Sequence, residues 1–539
     1  MKKIIALILA AATICGAVML IASCESGGTP TDTSNEGTKA TAQSTTQATE
    51  PASTTAATQG GSTGEPASTT AATGGTTAAV TTSGGTTADD GDGYSKPAGY
   101  LDVDFGGHTF TFITTYDRAD DVDRFDTDRE IAVESRTGGT VIDTAVYDRN
   151  AVMKKLYNCE IKAVPSSEMS KLLKNDVNSG TNEYDFGGAQ YLWFCTNKDG
   201  YYINLYDLDL DMNIEGWNRA LFDQCTVRDK NGNDKLYTVD ADFNLSTFRA
   251  TWALYCNLDL YKQNFTESIF DIVKNGEWTV DKMIEMVSAV AQDNGDQVWA
   301  ANEDVFGLMT TTHNAYGLVA SMGIRSVSVD ENHNFTSSAD LILSNHAVEA
   351  IDKAGELYQT DGVYVGGYST NHEAYAAGKT LFMGECLYLL PFDLIQGINT
   401  TVVPEPLYSS ESQDTYVSYV NNKGTTYLIS KNACGGNKQM ISDFLNVFVY
   451  HSHKIVYPAF LTAYGQIYCG DEQSVDMLKI ITGGIYYDFS YLGGSGSVMG
   501  QIQKMMESGK NDLSRAANKC QKTLQSELET LVNNMTDSK

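Results

Sequence analysis

The chain has 539 residues with 37 Lys+Arg against 68 Asp+Glu, a formal charge of −31, so its surface repels polyanions and excludes a nucleic-acid partner. That length is too great for one core and suits two to four units of about 150 residues. Ten cysteines with no C-x-x-C pair exclude a zinc ribbon, a thioredoxin motif and a small disulfide-stapled scaffold, so apolar cores must make the fold.

Lys2 and Lys3 precede an uncharged apolar run from Ile4 to Ser23, the order of a secretory signal. The run is nearly long enough to span a bilayer, which leaves an uncleaved anchor as the competing reading. Ile21-Ala22-Ser23-Cys24 resembles a bacterial lipoprotein lipobox, which implies that residues 1–23 are a signal peptide cleaved before a lipidated Cys24. Several acyl chains hold such a protein firmly, where one binds reversibly. The address implied is extracytoplasmic, on the outer face of the cell membrane. Residues 24–98 then form a linker of Thr, Ala, Gly and Ser, with EPASTTAAT at Glu50–Thr58 and again at Glu65–Thr73. Such composition cannot bury enough surface to offset its ordering entropy, so this segment is expected to be a disordered tether with an end-to-end distance of roughly 45 Å.

Beyond Gly99 aromatic residues become frequent and periodic segments begin. His108–Tyr116 alternates as a strand, Thr140–Tyr157 has helical spacing, Cys159–Val164 is a second strand, Ser167–Val177 a helix and Tyr184–Ala189 a third strand. This βαβαβ order predicts an α/β layer with a mainly parallel sheet, whose ligands bind outside the carboxyl ends of the strands. Gly276–Val290 predicts a helix capped by Thr279, with Trp278 stapled onto Met283. A further helix is expected over Lys438–Tyr450, its apolar stripe made by Met440, Ile441, Phe444, Leu445 and Phe448.

Four segments, LYCNLDLYKQNF (Leu254–Phe265), GEWTVDKMIEMV, YAAGKTLFMGE (Tyr375–Glu385) and YVNNKGTTYLISKNACGGNKQMISDFLNVFV (Tyr419–Val449), resemble in order and spacing those of family 1 extracellular solute-binding proteins of ABC importers. The chain departs from that family in reading Asn257-Leu258-Asp259 where Asn-Lys-Asp is common. The resemblance implies an α/β, periplasmic-binding-protein-like (type II) fold, with two lobes around a cleft. Carried onto this chain, lobe one is 99–247 and 401–452, and lobe two is 248–400 and 453–539. Hinges fall near Val239–Leu254, Val402–Leu407 and the region after Tyr450. It also implies a small solute as ligand, an oligosaccharide before a peptide, an ABC permease as partner, a membrane reached through the lipid anchor, a monomer and no cofactor.

Beyond the linker there is no G-x-S-x-G, and the chain has no HExxH and no phosphate loop. Catalytic residues are therefore not assigned. His451 and His453, two apart at a helix end, face different ways and read as solvated positions rather than a metal pair. Asn294-Gly295-Asp296 with Glu303 echoes a calcium loop, but Gln292 stands at the first ligand position and a polar turn is preferred; the ion stays open. No disulfide pairing is assigned. The positive signal is aromatic and polar residues at strand ends, whose ring faces stack on sugar CH groups while amides and carboxylates take hydroxyls. These are Gln190, Tyr191 and Trp193 after the third strand, Asp240, Asp242, Asn244 and Trp252 on the crossing segment, and Glu385 and Tyr388 after Thr380–Met383. The competing classes are a peptide-binding or sensory protein of the same fold and a surface polysaccharide hydrolase with a carboxylate pair.

Overall fold

A computed structural model describes residues 95–100, 102–114, 127–190, 197, 199–325, 327–336, 343–421, 423–488 and 496–536. The expected signal peptide, Cys24 and nearly all of the linker lie outside them. So do Tyr191 and Trp193. In chain order the strands that matter are β1 (His108–Thr114), β2 (Cys159–Pro165), β3 (Phe186–Gln190), β4 (Thr238–Val239), β5 (Trp252–Asn257) and β6 (Phe306–Thr310). There follow β7 (Val363–Val365), β8 (Thr380–Cys386), β9 (Thr400–Val403), β10 (Ser418–Tyr419), β11 (Thr425–Ile429) and β12 (Ile485–Tyr486).

Two five-stranded sheets result, ordered β2-β1-β3-β11-β4 and β7-β6-β8-β5-β9. In the first, β1 pairs in parallel with β2 and β3, and the helix Val141–Tyr157 makes the crossover between β1 and β2. Thr140 caps that helix with a reciprocal box, its hydroxyl accepting from the Asp143 N–H while the Asp143 carboxylate accepts from the Thr140 N–H. Each sheet carries one reversed strand: β11 runs antiparallel to β3, and β5 antiparallel to β8. These are the two strands by which the chain enters a sheet from the other one, starting at the carboxyl edge and running down, so their direction follows from the path of the chain.

Three segments cross between the sheets side by side. Thr251 bridges Val420, and β10 pairs in parallel with β12. The expected lobe boundary at residue 401 moves, because β9 is the edge of the second sheet through Thr401↔Cys256 and Val402↔Tyr255. Leu407 then bridges Thr279, and the chain returns to the first sheet only through β10 and β11. The helix Lys438–His451 lies on the first sheet, where Phe444 stacks on Phe110 with centroids 3.6 Å apart and on Phe448 at 5.0 Å. Beyond it the chain passes through two π-helical stretches, Ser452–Val456 and Thr462–Tyr468, before the helix Glu472–Gly483 packs on β9.

The second lobe is built round Trp278, fully buried, whose indole N–H donates to the Pro404 carbonyl at 2.8 Å and whose ring meets Phe382 at 5.3 Å. Thr279 caps the helix Val280–Val290 by accepting from the Lys282 N–H. Asn257 caps Leu258–Asn264 by accepting from the Asp259 and Leu260 amides, a local role that needs no lysine beside it. No helix among the described residues is long and apolar enough to cross a membrane. Among the described residues, Cys159, Cys256, Cys386, Cys434 and Cys469 are free thiols.

Candidate functional site

The carboxyl edges of both sheets meet at the crossing segments, and two unlike clusters stand there. On the first lobe, Gln190 ends β3 opposite Thr425, the first residue of β11. Next to them Asp240 is 1% exposed: its carboxylate accepts from Asn244 Nδ2 at 2.5 Å, from Asn218 Nδ2 at 2.7 Å and from the Tyr487 hydroxyl. Asn244 Nδ2 also reaches the Thr425 carbonyl and the Thr247 hydroxyl. Burial pushes the Asp240 carboxyl up to about 6, against the pull of its hydrogen bonds. Asp240 and Asn244, expected as ligand contacts, therefore have their polar atoms committed to tying the first lobe to Tyr487, the residue that follows the crossing strand β12. A group already satisfied inside the protein has little left to offer a solute.

Asp242 differs. It faces a cavity of about 300 Å³ shared with Trp217, Arg219, Phe248, His453 and Tyr457. Its Oδ2 lies 2.6 Å from His453 Nδ1, and His453 Nε2 lies 3.2 Å from Glu215. Burial raises the Asp242 carboxyl pKa, partly offset by this imidazole. The two histidines do point apart, but His451 is not solvated: it is 1% exposed, with Nε2 3.0 Å from the Tyr157 hydroxyl.

On the second lobe Trp252 is 1% exposed and belongs to the core, which corrects its expected place in the cleft. Glu385, next to last in β8 and expected as a ligand contact, is instead 1% exposed, with one oxygen accepting from the Cys386 N–H at 2.8 Å and the other 3.0 Å from His372 Nε2. Tyr388 is all but buried, edge-on to Phe392 with centroids 6.2 Å apart. Around Glu385 stand three rings that sequence reasoning missed. Tyr368, 38% exposed at the start of the helix Tyr368–Ala376, has its centroid 6.2 Å from both His313 and His372. Burial lowers the His313 pKa, against the pull of Glu385. Asn371 pins this helix to the edge by donating to the Thr310 carbonyl at 2.8 Å. Tyr368 stands three residues past β7, a strand that sequence reasoning did not identify, so no strand end was on hand to mark it.

Behind this edge lies Glu405, 1% exposed, its carboxyl pushed by burial up to about 8. Asn314 Nδ2 donates to it at 3.1 Å. That contact requires Gly384, because a Cβ there would sit 2.0 Å from Asn314 Nδ2. The loop with Asn294 is a polar turn: Asp293 accepts from the Gly295 and Gln297 amides, and Asn294 Nδ2 donates to Glu303.

No protein-family model matches the chain, and no curated protein does. Solved structures do. A cyclo/maltodextrin-binding protein complexed with maltotetraose superposes with a TM-score of 0.51 at 12% identity, over 78% of this chain and 97% of that one. The GacH receptor of Streptomyces glaucescens matches at 0.45 and 15% identity over 78% and 99%, and the maltose-binding protein MalE of Listeria monocytogenes at 0.46 and 15% over 78% and 98%. The chain therefore has the two-lobed α/β, type II periplasmic-binding-protein-like fold, seen also in the cyclo/maltodextrin-binding protein.

Proposed function

We propose that the protein captures an oligosaccharide between its lobes and passes it to an ABC permease, performing no chemistry on it, while lipid on Cys24 and the linker hold it at the outer face of the cell membrane. The observation that carries the reading is the facing of two carboxyl edges across three crossing segments, with a half-exposed aromatic surface at one of them. Tyr368 supplies a ring face for sugar CH groups, and Gln190, Tyr191, Trp193 and Asp242 from the first lobe supply amide, ring and carboxylate partners. The carboxylates at both edges, in a chain of charge −31, favour a neutral hydroxylated solute over an anion. The maltotetraose in the cyclo/maltodextrin-binding protein adds support for a glycan.

The test is a thermal-shift series of the protein against linear and cyclic maltodextrins, other glycans and peptides. A ligand at 100 times its dissociation constant stabilises the folded state by about 2.7 kcal/mol. A shift with peptides and none with glycans would replace the ligand class, and release of reducing ends would make the protein a hydrolase. For the anchor, Cys24→Ala should lose metabolically incorporated fatty acid; a mutant still labelled removes the lipid from the reading.

A further inference from the structure

At the edge of the first sheet away from the crossing segments, three side chains from three separate stretches converge. His108 opens β1, Asp185 immediately precedes β3, and Cys434 lies in the turn Ala433–Gly436 just after β11. His108 Nε2 is 3.3 Å from Asp185 Oδ2 and 3.8 Å from Cys434 Sγ, and the three donor atoms all lie within 4.8 Å of one another. We propose that His108, Asp185 and Cys434 form a zinc site, with water at the fourth position.

The chemistry of the donors selects the ion. Calcium and magnesium take oxygen ligands, whereas imidazole, thiolate and one carboxylate together suit zinc. Bonds of about 2.0–2.3 Å round a tetrahedral centre separate neighbouring donors by about 3.3–3.8 Å, the spacing His108 makes with both partners. The carboxylate is fixed in advance, since Asp185 Oδ1 accepts from the Cys434 N–H at 2.8 Å and Oδ2 from the Thr111 N–H at 3.0 Å. The imidazole is held by the Phe110 ring, 4.7 Å away and nearly perpendicular. Asp185 is 5% exposed and His108 29%, so the centre opens to solvent on the histidine side, where an ion enters and a water completes the shell. Binding Zn²⁺ forms the S–Zn bond and releases the Cys434 thiol proton to solvent. Cys434 is a free thiol, so no disulfide competes for it. The centre would clamp β1, β3 and the turn that leads into Lys438–His451, independently of the solute reading.

Cobalt(II) titrated into chelator-treated full-length protein reports on it directly. The expected result is one equivalent bound, with tetrahedral visible bands and a thiolate-to-cobalt charge-transfer band, both erased by zinc. Cys434→Ser should lose the charge-transfer band, and His108→Gln should weaken zinc binding by about a hundredfold or more, since even supporting residues around a metal matter by ten- to a hundredfold. The absence of a tetrahedral spectrum in folded wild-type protein overturns the site. So does an unchanged spectrum in Cys434→Ser, which would put the ion on another cysteine. If Cys434→Ser does not fold by circular dichroism, His108→Gln decides alone: wild-type affinity in that variant overturns the proposal.

Discussion

The two edges that face each other across the crossing segments are built from the same residue types and used differently. On the first lobe Asp240, Asn244, Asn218 and Tyr487 satisfy one another, and Asp240 is 1% exposed. On the second lobe Tyr368 leaves 38% of its surface open beside His313 and His372. The difference teaches that a polar or aromatic residue at a strand end is scaffold when its neighbours already saturate it, and contact surface when part of its side chain stays open to solvent.

The sharpest way to break this distinction is a residue on the scaffold side of the second lobe. Trp278→Ala removes a fully buried indole and its hydrogen bond to Pro404, and should cost about 3–5 kcal/mol of stability, read as a lower denaturation midpoint. A midpoint near wild type would mean that the second lobe's core lies elsewhere.

Glu405 comes next, and its effect depends on pH. Its folded pKa is raised to about 8 from an unfolded value near 4.3. The folded state therefore holds the proton across that window, and stability falls as pH rises from about 4.5 to 8. Glu405→Gln keeps an acceptor for Asn314 and removes the ionisation, so it should flatten this slope and stabilise the protein by about 2–4 kcal/mol at pH 8. Denaturation at pH 5 and pH 8 checks it; an equal slope in mutant and wild type would assign the pH dependence to other groups.

A smaller effect is expected at Asp240. Asn in its place puts an NH₂ or leaves a gap where the carboxylate accepts from Asn218, Asn244 and Tyr487, and should cost about 1–3 kcal/mol. Wild-type stability in Asp240→Asn, measured by denaturant titration, would show the cluster to be replaceable.

How much of this was legible beforehand can be argued from particular residues. The helix expected over Lys438–Tyr450 is found at Lys438–His451, and the strand expected from His108 is found at His108–Thr114, because period and caps are local properties. Trp252 and Tyr368 are both aromatic residues at element starts, yet one is 1% and the other 38% exposed. That outcome depends on which lobe folds over the ring, and no local pattern records it. The reversed direction of β5 and β11 and the late return of the chain at β10 have the same origin, being consequences of pairing between segments far apart in sequence.

Tyr368 carries the smallest effect and the most selective one. The residue is 38% exposed at the start of its helix, so little apolar area returns to water when its side chain is removed. Tyr368→Ala should leave the midpoint of the ligand-free protein within about 0.5 kcal/mol of wild type, as surface substitutions do. If the ring is a platform for a sugar, the same change removes a stacking contact worth about 1.4 kcal/mol, and affinity for the glycan found in the thermal-shift series falls about tenfold. Calorimetry on the pair separates the outcomes: a loss of stability with unchanged affinity would make Tyr368 scaffold like Asp240, and its exposed side chain would no longer mark the side of the cleft that holds the solute.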